Sequence, residues 1–138
     1  MLLWETGVPD SVVEQKDGVT SPNGAIVWFR DKTLASQLES LGVKPHDITY
    51  VAISHAHADH TGNVKAFAKS KMLMQKLEHE AAMKATSKPF SDDQNVELLS
   101  GDRDVFGDGS VSIVSTPGHT PGHQSLLVKL PKTGALVL

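Results

Sequence analysis

The chain has 138 residues, enough for one domain around one core, and 39% of them are hydrophobic, which excludes a disordered polyampholyte. The net charge is −3 with histidines neutral and the pI is near 6.1, where a nucleic-acid binder would present a basic face, and no Lys/Arg run is present. Cysteine is absent, so a disulfide scaffold and a thiolate metal site are both excluded.

In chain order, Leu2–Trp4 reads as the end of a strand that runs into a Thr6-Gly7 turn. Ala25–Phe29, "AIVWF", is an apolar run of strand length. "DKTLASQLESLG" reads as a helix with Asp31 as N-cap, Leu34, Leu38 and Leu41 on one face and Gly42 just past the end. "KPHDI" turns the chain, and Asp47 is a candidate cap for the next element. Thr49–Ser54 is a buried strand by composition, and a histidine cluster begins at its end. "GNVKAFAKS" reads as a short helix with Val64 and Phe67 inward, "KMLM" as a strand and "QKLEHEAAMKA" as a helix. Residues 86–94 form a polar loop before the strand "VELL". Gly107-Asp108-Gly109 suits a hairpin turn ahead of the alternating strand "SVSIVS". "TPGHTPGHQ" is a loop, and "SLLVKL" and "GALVL" are strands joined by the turn at 131–134. Helices gather in residues 31–84 and strands dominate 96–138, a mixed α/β pattern of sheet layers flanked by helices.

No signal peptide or membrane span is visible, so the expectation is a cytoplasmic protein that engages neither membrane nor nucleic acid. Both ends of the chain read as apolar strand with no turn or cap beyond. That leaves two readings, a piece of a longer protein or a small domain with two terminal strands, and the first is favoured.

The chemistry concentrates in "ISHAHADHTGN", residues 53–63, which holds three of the seven histidines and an aspartate. On an extended segment residues i and i+2 point the same way, so His55 and His57 can converge on one ion. Asp59 and His60 come just after and can converge on a neighbouring point. Neutral imidazole and carboxylate suit zinc and similar divalent ions. A catalytic zinc takes three protein ligands, so a further residue is required. The candidates are His46, His79, His119 and His123. His46 sits in a turn, as a cap or surface residue, and His79 lies in a charged helical run and reads as solvated. His119 and His123 follow a strand in a loop stiffened by proline and glycine, which pre-organises a ligand.

"HAHADH" followed about sixty residues later by "TPGHT" resembles the metallo-β-lactamase superfamily. "LLWETGV", "SHAHADHTGN" and "DGSVSIVSTPGHTPGHQSLLVKLP" look most like its N-acyl-homoserine lactonase branch, and the resemblance runs from Leu2 to Leu138. It implies a four-layer αββα sandwich of two similar halves, with residues 1–138 as a single partial domain: the first half and the opening of the second. It implies that His55, His57 and His119 bind a first Zn2+ and that Asp59 and His60 bind a second. His123 has no ligand role in that pattern and would act behind the ligands or structurally. The family's early Asp-Thr-Gly stands here as Glu5-Thr6-Gly7, an extra methylene in an acid expected to order the site. The family's bridging aspartate and last histidine fall beyond Leu138.

The activity so implied is that of a zinc-dependent hydrolase acting on a small-molecule substrate, with a metal-activated hydroxide attacking the carbonyl of a lactone or ester. Asp59 would orient that nucleophile or take its proton, and N-acyl-homoserine lactone would be the substrate. A thioester hydrolase of the hydroxyacylglutathione type and an inactive metal-binding fragment are the alternatives. No Gly-x-Ser-x-Gly elbow is present, which disfavours a covalent serine hydrolase.

Overall fold

A computed structural model of the chain describes residues 1–21 and 23–138. Its strands are β1 (Leu2–Trp4), β2 (Val19–Thr20), β3 (Val27–Trp28), β4 (Tyr50–Ala52), β5 (Lys71–Gln75), β6 (Val96–Leu99), β7 (Arg103–Asp104), β8 (Val111–Ser115), β9 (Gln124–Leu130) and β10 (Gly134–Val137). Its α-helices are α1 (Leu34–Ser40), α2 (Ala58–Thr61) and α3 (Lys76–Lys84), and short 3-10 turns cover Asp10–Glu14, Pro45–Asp47 and Val64–Phe67.

The strands form two main sheets. The first is parallel in the order β1-β4-β5-β6, with Leu2 opposite Tyr50 and Val51 opposite Met72. The second is antiparallel in the order β10-β9-β8-β7. Period-2 alternation distributes β4 and β5 between two cores. Val51, Ile53, Met72 and Met74 face the helical side with Leu38, Val64, Phe67 and Ala82. Ala52 and Leu73 face the other way and pack, with Leu99, on Val105, Ile113 and Leu126 of the second sheet and its approach. Helix, sheet and sheet are thus three of the four expected layers, laid down in the expected order.

Several local expectations are corrected. The N-cap of α1 is Thr33, whose hydroxyl accepts from Ser36 N, rather than Asp31. The helix ends at Ser40 with Leu41 as its C-cap, and Leu41 is 76% exposed rather than on the buried face with Leu38. Gly42 takes the left-handed conformation (φ 70°) expected just past the end. The Asp47 carboxylate accepts from Lys44 N and so caps its own turn, not the next strand. His79 is half-buried and stacks on Phe90 at 5.7 Å between ring centroids, because the polar loop folds back over α3. The apolar run at 25–29 is strand only in part. Among the described residues Val27–Trp28 is its strand segment, paired with β2 in a separate two-stranded hairpin, and Ile26, Val27 and Phe29 are exposed. No helix among the described residues is long and apolar enough to cross a membrane.

Candidate metal centre

Strand β4 leaves the first sheet at a fully buried Ile53, and the histidine segment starts just beyond it. Two bonds fix this exit: Ser54 N donates to Glu5 Oε1 (2.8 Å), and Gln124 N donates to Ser54 O (2.9 Å). His55 is buried at 4% exposure, whereas His57 reaches solvent. His57 is also the N-cap residue of α2, so Asp59 and His60 ride on that single turn. The turn is closed by His60 N and Thr61 N, both donating to His57 O.

His119 arrives from the other sheet, in the loop between β8 and β9. That loop is held narrow by Thr116 N donating to His123 O (3.0 Å) and Gly118 N donating to Thr120 O (3.0 Å). The two loops meet at three imidazole nitrogens. His55 Nε2 lies 2.9 Å from His57 Nδ1, and His119 Nε2 lies 3.2 Å from the same atom. Among the described residues, His55, His57 and His119 are the group of three or more ligand-type side chains whose donor atoms lie within 4.8 Å of one another. The i, i+2 convergence expected from an extended segment is therefore observed, and His119 completes it across 62 residues of sequence.

The donor set fits a metal. Zinc–imidazole bonds of about 2.0–2.1 Å in tetrahedral geometry place neighbouring nitrogens about 3.3 Å apart, close to the separations here. Protonation is compatible as well. Burial first, then the neighbouring rings of His60, His57, His119 and His123, pushes the His55 pKa down to about 4. A ring that stays neutral at pH 7 keeps a lone pair to give. The Ser54 hydroxyl, 2.9 Å from His55 Nδ1, can accept a hydrogen bond from Nδ1–H, which leaves the Nε2 lone pair free for a metal. Ser54 is a residue the sequence reading passed over; its one signal is its place directly before the first histidine.

Asp59 and His60 stand beside this triad, with Asp59 Oδ2 3.7 Å from His60 Nε2. The carboxylate of Glu5 lies behind them, Oε2 2.9 Å from His60 Nδ1. The backbone of Glu5 is itself unusual. Its φ is +68°, a left-handed conformation costing a non-glycine residue about 1–2 kcal/mol, and Glu5 N donates to Ala52 O to hold it there. His123 Nδ1 lies 2.9 Å from Thr116 Oγ1, and its ring centroid is 5.4 Å from that of His55. His46 is exposed on its turn. Over the triad opens a cavity of about 450 Å³, walled by Ile26 and Trp28 of the hairpin and by Ser21, Asn23, His57, Ala58 and Asp59 among others. The exposed apolar run of the hairpin thus has a use: part of it lines the mouth of the centre.

Residues 3–137 match the family model of the metallo-beta-lactamase superfamily. The chain belongs to that superfamily. It is 33% identical to the N-acyl homoserine lactonase of Bacillus cereus over 144 aligned residues, covering 99% of this chain and 57% of that protein. It is 37% identical to the N-acyl homoserine lactonase AttM of Azorhizobium caulinodans over 127 residues, covering 81% of this chain and 48% of that protein. A solved N-acyl homoserine lactone hydrolase, with the product N-hexanoyl-L-homoserine bound at its catalytic metal center, superposes with a TM-score of 0.79 at 28% identity, covering 99% of this chain and 56% of that one. The chain spans about half the length of the curated relatives it matches. The superfamily fold implies a divalent metal, and among the described residues the histidine triad is a group that could hold one.

Proposed function

We propose that this protein is a zinc-dependent hydrolase that opens the ring ester of N-acyl-homoserine lactones, with residues 1–138 as one partial domain of it. The observation that carries the reading is the convergence of three imidazole nitrogens from two sheets beneath a cavity with an apolar wall. The similarity to N-acyl homoserine lactonases names the substrate class.

His55, His57 and His119 would hold one zinc, and Asp59 with His60 would contribute to a second. When bound, zinc would polarise the substrate carbonyl and make water a usable nucleophile near neutral pH. The chain's own residues do the rest. Ile26 and Trp28 give the acyl chain an apolar surface, and Ser21 and Asn23 offer polar groups at the same mouth. Asp59, partly exposed at the cavity edge, takes a proton from the attacking water at a carboxylate oxygen. Water oxygen adds to the ring carbonyl carbon, the ring C–O bond breaks, and the released ring oxygen receives that proton from Asp59. Glu5 and Ser54 keep His60 and His55 oriented throughout.

The test is metal content together with substrate choice. The purified chain should retain zinc, and His55→Ala and His119→Ala should each lose it; full metal content in either variant sinks the ligand assignment. The full-length protein should open a lactone ring and leave a glutathione thioester intact. Thioester turnover without lactone opening would move the protein to the hydroxyacylglutathione class.

A further inference from the structure

The two ligand loops come from different sheets, so something must set the distance between them. In the first turn of α3, directly after β5, stands Glu78, a carboxylate only 4% exposed. Among the described residues no lysine, arginine or histidine nitrogen forms an ion pair with it. A buried acid without a counter-charge is tolerated only where hydrogen bonds replace its water. Glu78 has two such bonds, one to each ligand loop. Oε1 accepts from Ala56 N at 2.9 Å, and Oε2 accepts from Gly122 N at 3.1 Å. Ala56 is the residue between His55 and His57, and Gly122 is three residues past His119.

A second, independent observation places the His119 loop on the same helix turn. A Cβ built on Gly122 would lie 2.3 Å from Glu78 N and 2.6 Å from Glu78 Cβ. The His119 loop is therefore seated directly on the first turn of α3, at a distance only glycine permits. Glu80, two residues on, shows what the helix does with an ordinary acid: it is exposed and pairs loosely with Lys76 at 3.8 Å.

We infer that Glu78 is a positioning residue for the metal centre, one buried carboxylate that clamps the His55–His57 loop and the His119 loop at the separation an ion requires. The inference rests on the metal-site reading. Moving the Ala56 amide shifts His55 and His57 together, and releasing the Gly122 amide lets His119 drift from both. Neither side chain of the outer pair is anchored by burial, since His57 and His119 are exposed. Groups behind metal ligands typically contribute about 10–100-fold to metal affinity.

The test is a cobalt(II) titration of the metal-stripped chain, read by its visible absorption, with amide hydrogen exchange read alongside. Glu78→Gln keeps the shape but leaves one acceptor oxygen for two N–H donors. Glu78→Asp keeps both oxygens and the charge but is too short to reach both loops. Both variants should bind cobalt about 10–100-fold more weakly with unchanged circular dichroism, while Glu80→Gln binds as wild type. The Ala56 and Gly122 amides should be protected in the wild type and lose protection together in the Glu78 variants. Full cobalt affinity in folded Glu78→Gln and Glu78→Asp overturns the clamp and leaves the metal site standing. Failure of the wild type to bind cobalt overturns the metal site and with it the positioning role. Should neither variant fold, the wild-type amides decide: joint protection of Ala56 and Gly122 that rises with cobalt supports the clamp, and free exchange at either overturns it.

Discussion

Gln124 offers the sharpest test of how the two sheets are joined. Its side chain is fully buried at 0% exposure, on the strand after the His119 loop. Nε2 donates to Ile53 O at 2.8 Å and to Leu73 O at 3.0 Å, and Oε1 accepts from Gln75 Nε2 at 3.3 Å. Gln124→Leu keeps the approximate volume and removes all three bonds. The two carbonyls lose donors that water cannot replace, at about 1–3 kcal/mol for each one left without a partner. Gln75 keeps its bond to Gly101 O (2.9 Å) and adds little to the loss. The new leucine recovers about 1–2 kcal/mol of apolar burial against a combined loss of about 2–6 kcal/mol, so the mid-range net destabilisation is about 2–3 kcal/mol. Urea unfolding of the metal-free chain should then show a midpoint lower by about 0.5–1.5 M at unchanged slope. Gln94→Leu is the comparison. Gln94 is also buried, but its two bonds are long (3.4 and 3.5 Å) and its Oε1 has no partner, so its replacement should cost less than half as much. A midpoint for Gln124→Leu equal to or above wild type, or a larger loss at Gln94, refutes the view that the buried amide is what ties the sheets.

Three further perturbations have defined outcomes. Glu5→Ala removes the acceptor for Ser54 N and the carboxylate behind His60, so a metal at the proposed Asp59–His60 position should be lost to a chelator more readily than in wild type, with a smaller change at the proposed three-histidine position. Gly62→Ala should be strongly destabilising, because the added Cβ would lie 2.2 Å from Pro9 N and 2.4 Å from Val8 C; thermal unfolding should show a loss of at least about 1–3 kcal/mol, and a near-neutral result would contradict the packing of the 6–10 segment on α2. Thr33→Ala deletes the α1 cap and should cost about 1 kcal/mol, whereas Asp31→Ala should fall within about 0.5 kcal/mol of wild type.

The parts legible in the sequence were those governed by local rules. Apolar runs of strand length placed β4, β5, β6, β9 and β10, alternation placed β8, and Gly42 marked the stretch just past the end of α1. The histidine spacing foretold the His55–His57 convergence, because i, i+2 geometry is a property of extended backbone alone. What stayed hidden depends on partners far along the chain. Nothing in "KLEHEAA" separates the buried Glu78 from the exposed Glu80, since the difference is made by Ala56 and Gly122. The apolar run at 25–29 has a core strand's composition, yet its hairpin pairs only with itself and stands over the cavity. Asp31 and Thr33 are both good caps, and the choice fell to Thr33 because Leu34 N is taken by Asp10 Oδ1, which fixes where the first turn begins.

The layout of the centre reflects how little apolar surface joins the sheets. Among the described residues the core between them contains six buried side chains, Ala52, Leu73, Leu99, Val105, Ile113 and Leu126, while the helical side buries ten. Such a contact gives attraction but little directional control, because the hydrophobic effect is non-directional. A triad drawn from both sheets needs its nitrogens fixed to a few tenths of an ångström, which is the precision hydrogen bonds supply. Gln124 pins the strand ends beneath His55, and Glu78 holds the loops on either side of the imidazoles. Both are polar side chains buried where a hydrophobe would fill the space but leave backbone groups without partners, two carbonyls at Gln124 and two amides at Glu78. Their placement is intelligible if hydrogen bonds, rather than the apolar contact, set the relative position of the two sheets.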